Sequence, residues 1–149
     1  MEMSLDVWLT VKETVRQEQK IYIRENGQNK AISITEWNER YPDKTAVMPK
    51  QVITNEVFEW NITHNLNKMA TEAGIYNYLW RPDEINISQA HKLIEPLETG
   101  LRLLREKPEY FREFNPSNGW GNYEGLLAFV ESYLQACIEY PHAEIGISR

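Results

Sequence analysis

The sequence predicts an α+β fold: a small antiparallel sheet of N-terminal, central and C-terminal strands, two long C-terminal helices packed on one face, and an inserted hairpin. Three observations carry this. Apolar residues alternate along residues 4–13 and 56–63, the period of a half-buried strand. A polar hairpin signal lies between them. Two stretches of the last third, from Ser88 and from Tyr123, keep apolar residues on one helical face.

In "SLDVWLTVKE", Leu5, Val7, Leu9 and Val11 oppose Asp6, Trp8, Thr10 and Lys12, which is a strand with one buried face. In "KIYIRENGQNKAISI" two arms flank Asn26-Gly27, the dipeptide that most readily supplies positive φ at a hairpin turn. "SITEWNERYP" predicts a short helix that ends before Pro42. "DKTAVMPKQVITN" has little periodicity and predicts a connecting loop. "EVFEWNIT" is the central strand. Thr63 or Asn65 is placed to cap a short helix that Gly74 stops. "IYNYLWRPDEI" continues as a helical turn or ordered loop, halted at Pro82.

From Ser88, a suitable N-cap, the stripe Ala90, Leu93, Ile94, Leu97, Leu101 and Leu104 predicts a helix that Pro96 should bend or split. Pro108 opens a further short helix. Tyr123, Leu126, Leu127, Val130, Leu134, Cys137 and Ile138 form the last stripe, before Pro141. "AEIGISR" then alternates and closes the sheet. The expected organisation is one α+β domain over residues 1–149, with about residues 13–55 an inserted hairpin and loop.

Composition excludes several function classes. The chain has 149 residues, 42% of them apolar, with a formal charge of −6. Its 16 basic residues are scattered and outnumbered, whereas sequence-blind binding to nucleic acid needs them clustered. Cys137 is the only cysteine, so no intrachain disulfide or cysteine-based zinc site is expected; in its apolar stripe it reads as a buried thiol. "MEMSLDVWL" lacks a basic segment followed by an apolar run, so neither a signal peptide nor a membrane span is expected.

Motifs for catalysis are missing. No phosphate loop, Gly-x-Gly-x-x-Gly, Gly-x-Ser-x-Gly or His-Glu-x-x-His occurs. His64, His91 and His142 have no Ser or Thr two positions on, so the paired His-x-Thr arrangement of one phosphoesterase class is absent. His64, at a strand-to-helix junction, has the residue type of a general base, but without a catalytic motif around it the expected role is a hydrogen-bonded cap. No catalytic residue, metal site or cofactor is expected.

The candidate ligand site gathers around "NPSNGWGNYEG". Asn118-Gly119 signals a turn, Gly121 admits close backbone approach, and Asn122 is a natural N-cap. A helix start with unpaired N–H groups attracts anions, and Trp120 beside it offers a stacking surface. The structural alternative is that Trp120 plugs a gap in the packing. Trp80 and Arg81 in "YLWRPDE" add an aromatic ring and a guanidinium suited to phosphate. Arg149 follows the last strand. The expected ligand-binding set is His64, Asn65, Trp80, Arg81, Asn118, Gly119, Trp120, Gly121, Asn122 and Arg149, converging on a small anionic, nucleotide-like ligand.

"NITHNLNKMATEAGIYNYLWRP", "NPSNGWGNYEGLLAFVESYLQAC" and the closing "ISR" together resemble a family of small tailed-bacteriophage and prophage proteins, across about residues 3–12 and 56–149. The resemblance carries no established activity. It implies a phage-encoded accessory protein in the host cytosol, neither capsid nor replication component. By analogy of class, such a protein sequesters nucleotide signals of host defence. The alternatives are a protein–protein inhibitor or adaptor of a host factor, suggested by Trp8 and Trp37 lying off the apolar pattern, and a small hydrolase using His64. Free sheet edges allow a homo-oligomer.

Overall fold

The computed structural model describes residues 4–16, 20–47 and 50–149. In chain order the elements are β1 (Ser4–Arg16), β2 (Lys20–Glu25), β3 (Gln28–Ser33), α1 (Ile34–Arg40), β4 (Lys50–Thr63), α2 (Asn67–Glu72), α3 (Tyr76–Trp80), α4 (His91–Glu106), α5 (Pro108–Arg112), α6 (Tyr123–Glu139) and β5 (Glu144–Ser148). The fold is α+β, as the alternating and helical stripes predict. The chain divides into two compact units, residues 1–11 with 55–149, and residues 12–54.

In the larger unit a three-stranded sheet runs in the order β4-β1-β5. β1 and β5 pair antiparallel, with Val7 opposite Ile147, Trp8 opposite Gly146 and Leu9 opposite Ile145. Alternation sends Leu5, Val7 and Leu9 fully into the core. Trp8 is on the other face, and its indole lies across Gly146, where a Cβ would sit 2.0 Å from Nε1. That explains why Trp8 departs from the apolar pattern: it covers a backbone.

α4 and α6 bury Leu93, Leu97, Leu101 and Leu104 together with Leu126, Phe129, Val130, Tyr133 and Cys137. Each fully buried leucine or phenylalanine contributes about 1.5–3 kcal/mol over leaving it in water. Burial pushes the Cys137 thiol up to about 12, so it is held protonated and inert. Phe58 and Trp60 of β4 turn to α6, where Phe58 stacks on Tyr133 at 5.3 Å and Trp60 on Phe129 at 6.0 Å.

Three expectations need correction. Residues 50–55, expected as loop, belong to β4; adjacent Val52 and Ile53 hide the strand period, and the loop expected at Met48 and Pro49 lies outside the described residues. Ser88 does not cap α4. Its carbonyl accepts the Ile145 N–H at 2.9 Å, and the helix begins later, after Ala90. Pro96 does not split α4, which is continuous from His91 to Glu106. A proline removes one helical N–H, and burial of Leu93 and Leu97 on either side of it holds the turns together.

In the smaller unit β2 and β3 pair antiparallel, from Lys20 opposite Ser33 to Glu25 opposite Gln28. Asn26 (φ 52°) and Gly27 (φ 78°) make the tight turn that Asn-Gly predicts. Ser33 caps α1 by accepting the Glu36 N–H at 3.0 Å. Trp37 packs against Tyr41 with the rings tilted and their centroids 4.4 Å apart, and donates its indole N–H to the Lys44 carbonyl at 2.7 Å. It is a local strut, not a free hot spot.

Among the described residues, no helix is long and apolar enough to cross a membrane.

Candidate functional site

β4 ends at Thr63, whose hydroxyl accepts the Asn65 N–H at 3.3 Å and starts a 3-10 turn over His64–Leu66. Leu66 is buried and pins that turn to the core. α2 follows and stops at Gly74 (φ 75°), as a helix-terminating glycine should. α3 is seated by close approach: a Cβ on Gly100 of α4 would lie 2.2 Å from Ile75 Cγ2, at the foot of α3. Tyr76 and Trp80 open and close α3, four residues apart and so on one face; their rings stack at 5.5 Å.

Trp80 is 2% exposed and donates its indole N–H to His64 Nδ1 at 2.8 Å. An indole nitrogen is a donor only, so Nδ1 must carry the lone pair. In this bond Nδ1 is the accepting nitrogen of His64 and Nε2 carries the ring proton. A histidine in that state offers a hydrogen-bond donor at Nε2, while its basic nitrogen is occupied.

Two arginines complete the site. Arg81 donates to the Tyr76 hydroxyl at 3.2 Å and to Glu84 at 2.8 Å, and the Glu84 and Tyr76 bonds raise its pKa further above the ordinary range. Arg149 makes a two-pronged pair with Asp83, at 2.8 and 3.1 Å, and donates to the Trp80 carbonyl at 3.3 Å. The fork holds the Asp83 carboxyl below its ordinary value. His64, Asn67, Tyr76, Trp80, Arg81 and Arg149 line one cavity of about 440 Å³. A second cavity of about 390 Å³ has Asp83 on its wall, with Pro82, Ile87, Ile145 and Ile147, so the Arg149–Asp83 pair has one member lining each.

Of the ten residues read from the sequence as a binding set, the structure gathers His64, Trp80, Arg81 and Arg149 around that cavity. Asn65 and the loop of residues 118–122 do not line it. Trp120 is 64% exposed. Asn65 turns to the loop, its amide donating to the Trp120 carbonyl at 3.4 Å, and Asn118 accepts the Trp120 N–H at 2.9 Å. Gly119 (φ 77°) and Gly121 (φ 97°) set the turn; a Cβ on Gly121 would meet Thr63 Cγ2 at 2.7 Å. Asn122 caps α6 through the Gly125 N–H at 2.7 Å, and Asn115 accepts the Tyr123 N–H at 2.7 Å. Side chains thus already occupy two of the N–H groups at this helix start, which weakens its pull on an anion.

Sequence reasoning missed Tyr76 and Asn67. The first was within reach, because Tyr76 and Trp80 have helical i, i+4 spacing. Nothing in the local pattern marks Asn67. Chemically, the cavity combines an aromatic wall, an imidazole donor and two guanidinium groups. Among the described residues, no three His, Cys, Asp or Glu side chains are grouped to hold a metal ion. Compared with known protein families, curated proteins and solved structures, the chain matches none.

Proposed function

We propose that this chain is a non-catalytic binding protein that holds a small anionic, nucleotide-like ligand in the His64–Tyr76–Arg81–Arg149 cavity. One observation carries the reading: Arg149, from beyond β5, and Arg81, from the end of α3, line the same cavity beside a stacked tyrosine and tryptophan. Guanidinium forks suit phosphate, and an aromatic wall suits a base. Both arginines are paired with exposed carboxylates, Glu84 and Asp83. Exposed pairs of this kind are screened by water and contribute little, so a phosphate can displace the carboxylate at small cost. The engaged Nδ1 of His64 favours binding over base catalysis. Sequestering a nucleotide signal against a host process is proposed by analogy of class alone.

The test is a thermal-shift and calorimetric screen of the intact chain against nucleotides and cyclic nucleotides. A ligand present at a hundredfold its Kd adds about 2.7 kcal/mol of apparent stability, which a melting scan resolves. Binding that weakens in Arg149→Gln and Arg81→Gln supports the reading. No shift with any compound, on protein shown to be folded, rejects it.

A protein–protein adaptor is favoured by one different observation, the 64% exposure of Trp120 in a loop tied down by Asn65 and Asn118. A partner whose capture is lost in Trp120→Ala, but kept in Arg149→Gln, supports this second reading.

A further inference from the structure

The sheet treats its two edges differently. Beyond β5, the segment at Ser88–His91 is laid along the strand: Ile145 N–H donates to the Ser88 carbonyl and Ala90 N–H to the Ala143 carbonyl, each at 2.9 Å, with a bridge between Gln89 and Glu144. β4 is the other edge, and among the described residues no strand pairs with its outer side. An open edge is a row of unpaired N–H and C=O groups, a template for another strand.

A cavity of about 440 Å³ runs beside it, lined by Val57 and Phe58 of β4 and by Glu131, Ser132, Gln135, Ala136, Glu139 and Tyr140 of α6. Val57 and Phe58 are consecutive and so point to opposite faces of the sheet. A cavity touching both reaches the strand's edge. The groove therefore has an open strand on one wall and a helix on the other, the arrangement in which an extended peptide adds to a sheet.

Charge selects the occupant. Glu56 and Glu59 are exposed on β4, and Glu59 is on the face opposite Phe58. Glu131 is already matched by Arg105 at 3.0 Å. A second copy would bring the same acids to the same edge, and an antiparallel self-pairing centred on Glu59 sets carboxylate against carboxylate. The acids that repel a copy attract lysine or arginine.

We propose that the outer edge of β4 between Asn55 and Asn61 is a docking site for an extended segment of a partner protein, alternating apolar and basic residues. Its apolar side chains lie toward Phe58, Ala136 and Tyr140, and its basic ones toward Glu59. This site is separate from the arginine cavity and stands whether or not that cavity binds a nucleotide.

The experiment is an NMR titration of the intact, isotopically labelled chain with three end-capped synthetic octapeptides. The first alternates valine and lysine, the second replaces lysine by glutamate, and the third keeps every lysine but replaces alternate valines by proline. The valine–lysine peptide is expected to shift the amides of residues 57–61 and 135–140 saturably and to slow exchange along β4. The glutamate and proline peptides should each bind roughly tenfold more weakly or not at all. Glu59→Lys, or Glu59→Gln should the first variant not fold, should weaken the valine–lysine peptide by roughly threefold or more. Equal binding of the proline peptide overturns the proposal, because charge alone would then explain it. So do shifts that map elsewhere, absence of any shift, or a concentration-dependent dimer that protects β4 without peptide.

Discussion

The indole N–H of Trp80 is bonded to Nδ1 of His64 at 2.8 Å, joining the junction after β4 to the end of α3. Trp80 is almost wholly buried, so its N–H has little access to water should the imidazole be lost. His64→Leu is expected to cost about 1–3 kcal/mol in chemical denaturation, the penalty of a buried donor left unpaired. His64→Gln keeps an acceptor near the same place and should recover part of the loss. Nitrogen NMR of the folded chain should find His64 protonated at Nε2 alone. Unchanged stability in His64→Leu would show that this bond holds nothing together.

The loop before α6 is set by backbone geometry, and its two glycines should not behave alike. Gly119 has φ 77° but open space where a Cβ would go. Gly121 has φ 97°, and its Cβ would meet Thr63 and Leu66 at 2.7 and 3.0 Å. Gly119→Ala should therefore cost about 1–2 kcal/mol, from the left-handed backbone alone. Gly121→Ala adds the collision and should cost about 2–4 kcal/mol. Equal losses in urea denaturation would mean that the Thr63–Leu66 junction yields freely.

How much of this was legible in the sequence depends on whether a feature is local. The alternation of Leu5, Val7 and Leu9 and the Asn-Gly turn are read from neighbours, and both structures follow. The start of β4 was not legible, because Val52 and Ile53 are consecutive and obscure a period of two. Ser88 has the chemistry of a cap, but its place beside β5 depends on a strand far along the chain. The site divides the same way. His64, Trp80, Arg81 and Arg149 could be picked by residue type. That Arg149 reaches the Trp80 carbonyl is a consequence of sheet order, which no local pattern encodes. The glycines that mark Trp120 in the sequence shape a turn that presents the ring to solvent.

The Arg149–Asp83 fork predicts a titration. Hydrogen bonds from Arg149 lower the Asp83 pKa below its ordinary 3.8. A depressed carboxylate adds stability that is present above the unfolded value and is lost as pH falls through the folded one. Carbon-detected NMR should therefore place the Asp83 midpoint below 3.8 in the intact chain and close to 3.8 in Arg149→Gln. Addition of a phosphate-bearing ligand that draws Arg149 away should move the midpoint in the same upward direction. A midpoint at 3.8 in the unmodified chain would mean that the fork does not persist in solution.

Two tyrosines of α6 give the sharpest contrast. Both are buried. The Tyr123 hydroxyl donates to the Leu104 carbonyl at 2.7 Å and so ties the start of α6 to the last turn of α4. The Tyr133 hydroxyl has no hydrogen-bond partner among the described residues, and burial raises its pKa far above the ordinary value. Removing a satisfied hydroxyl and removing an unsatisfied one have opposite consequences, because only the second relieves a desolvation penalty. Tyr123→Phe should cost about 1 kcal/mol, whereas Tyr133→Phe should be neutral or stabilise by about 1 kcal/mol. Both changes keep the ring, so the stack of Tyr133 on Phe58 at 5.3 Å survives and packing does not confuse the comparison. Equilibrium denaturation of the two variants decides it: a Tyr133→Phe loss as large as that of Tyr123→Phe would show that the Tyr133 hydroxyl is bonded in solution.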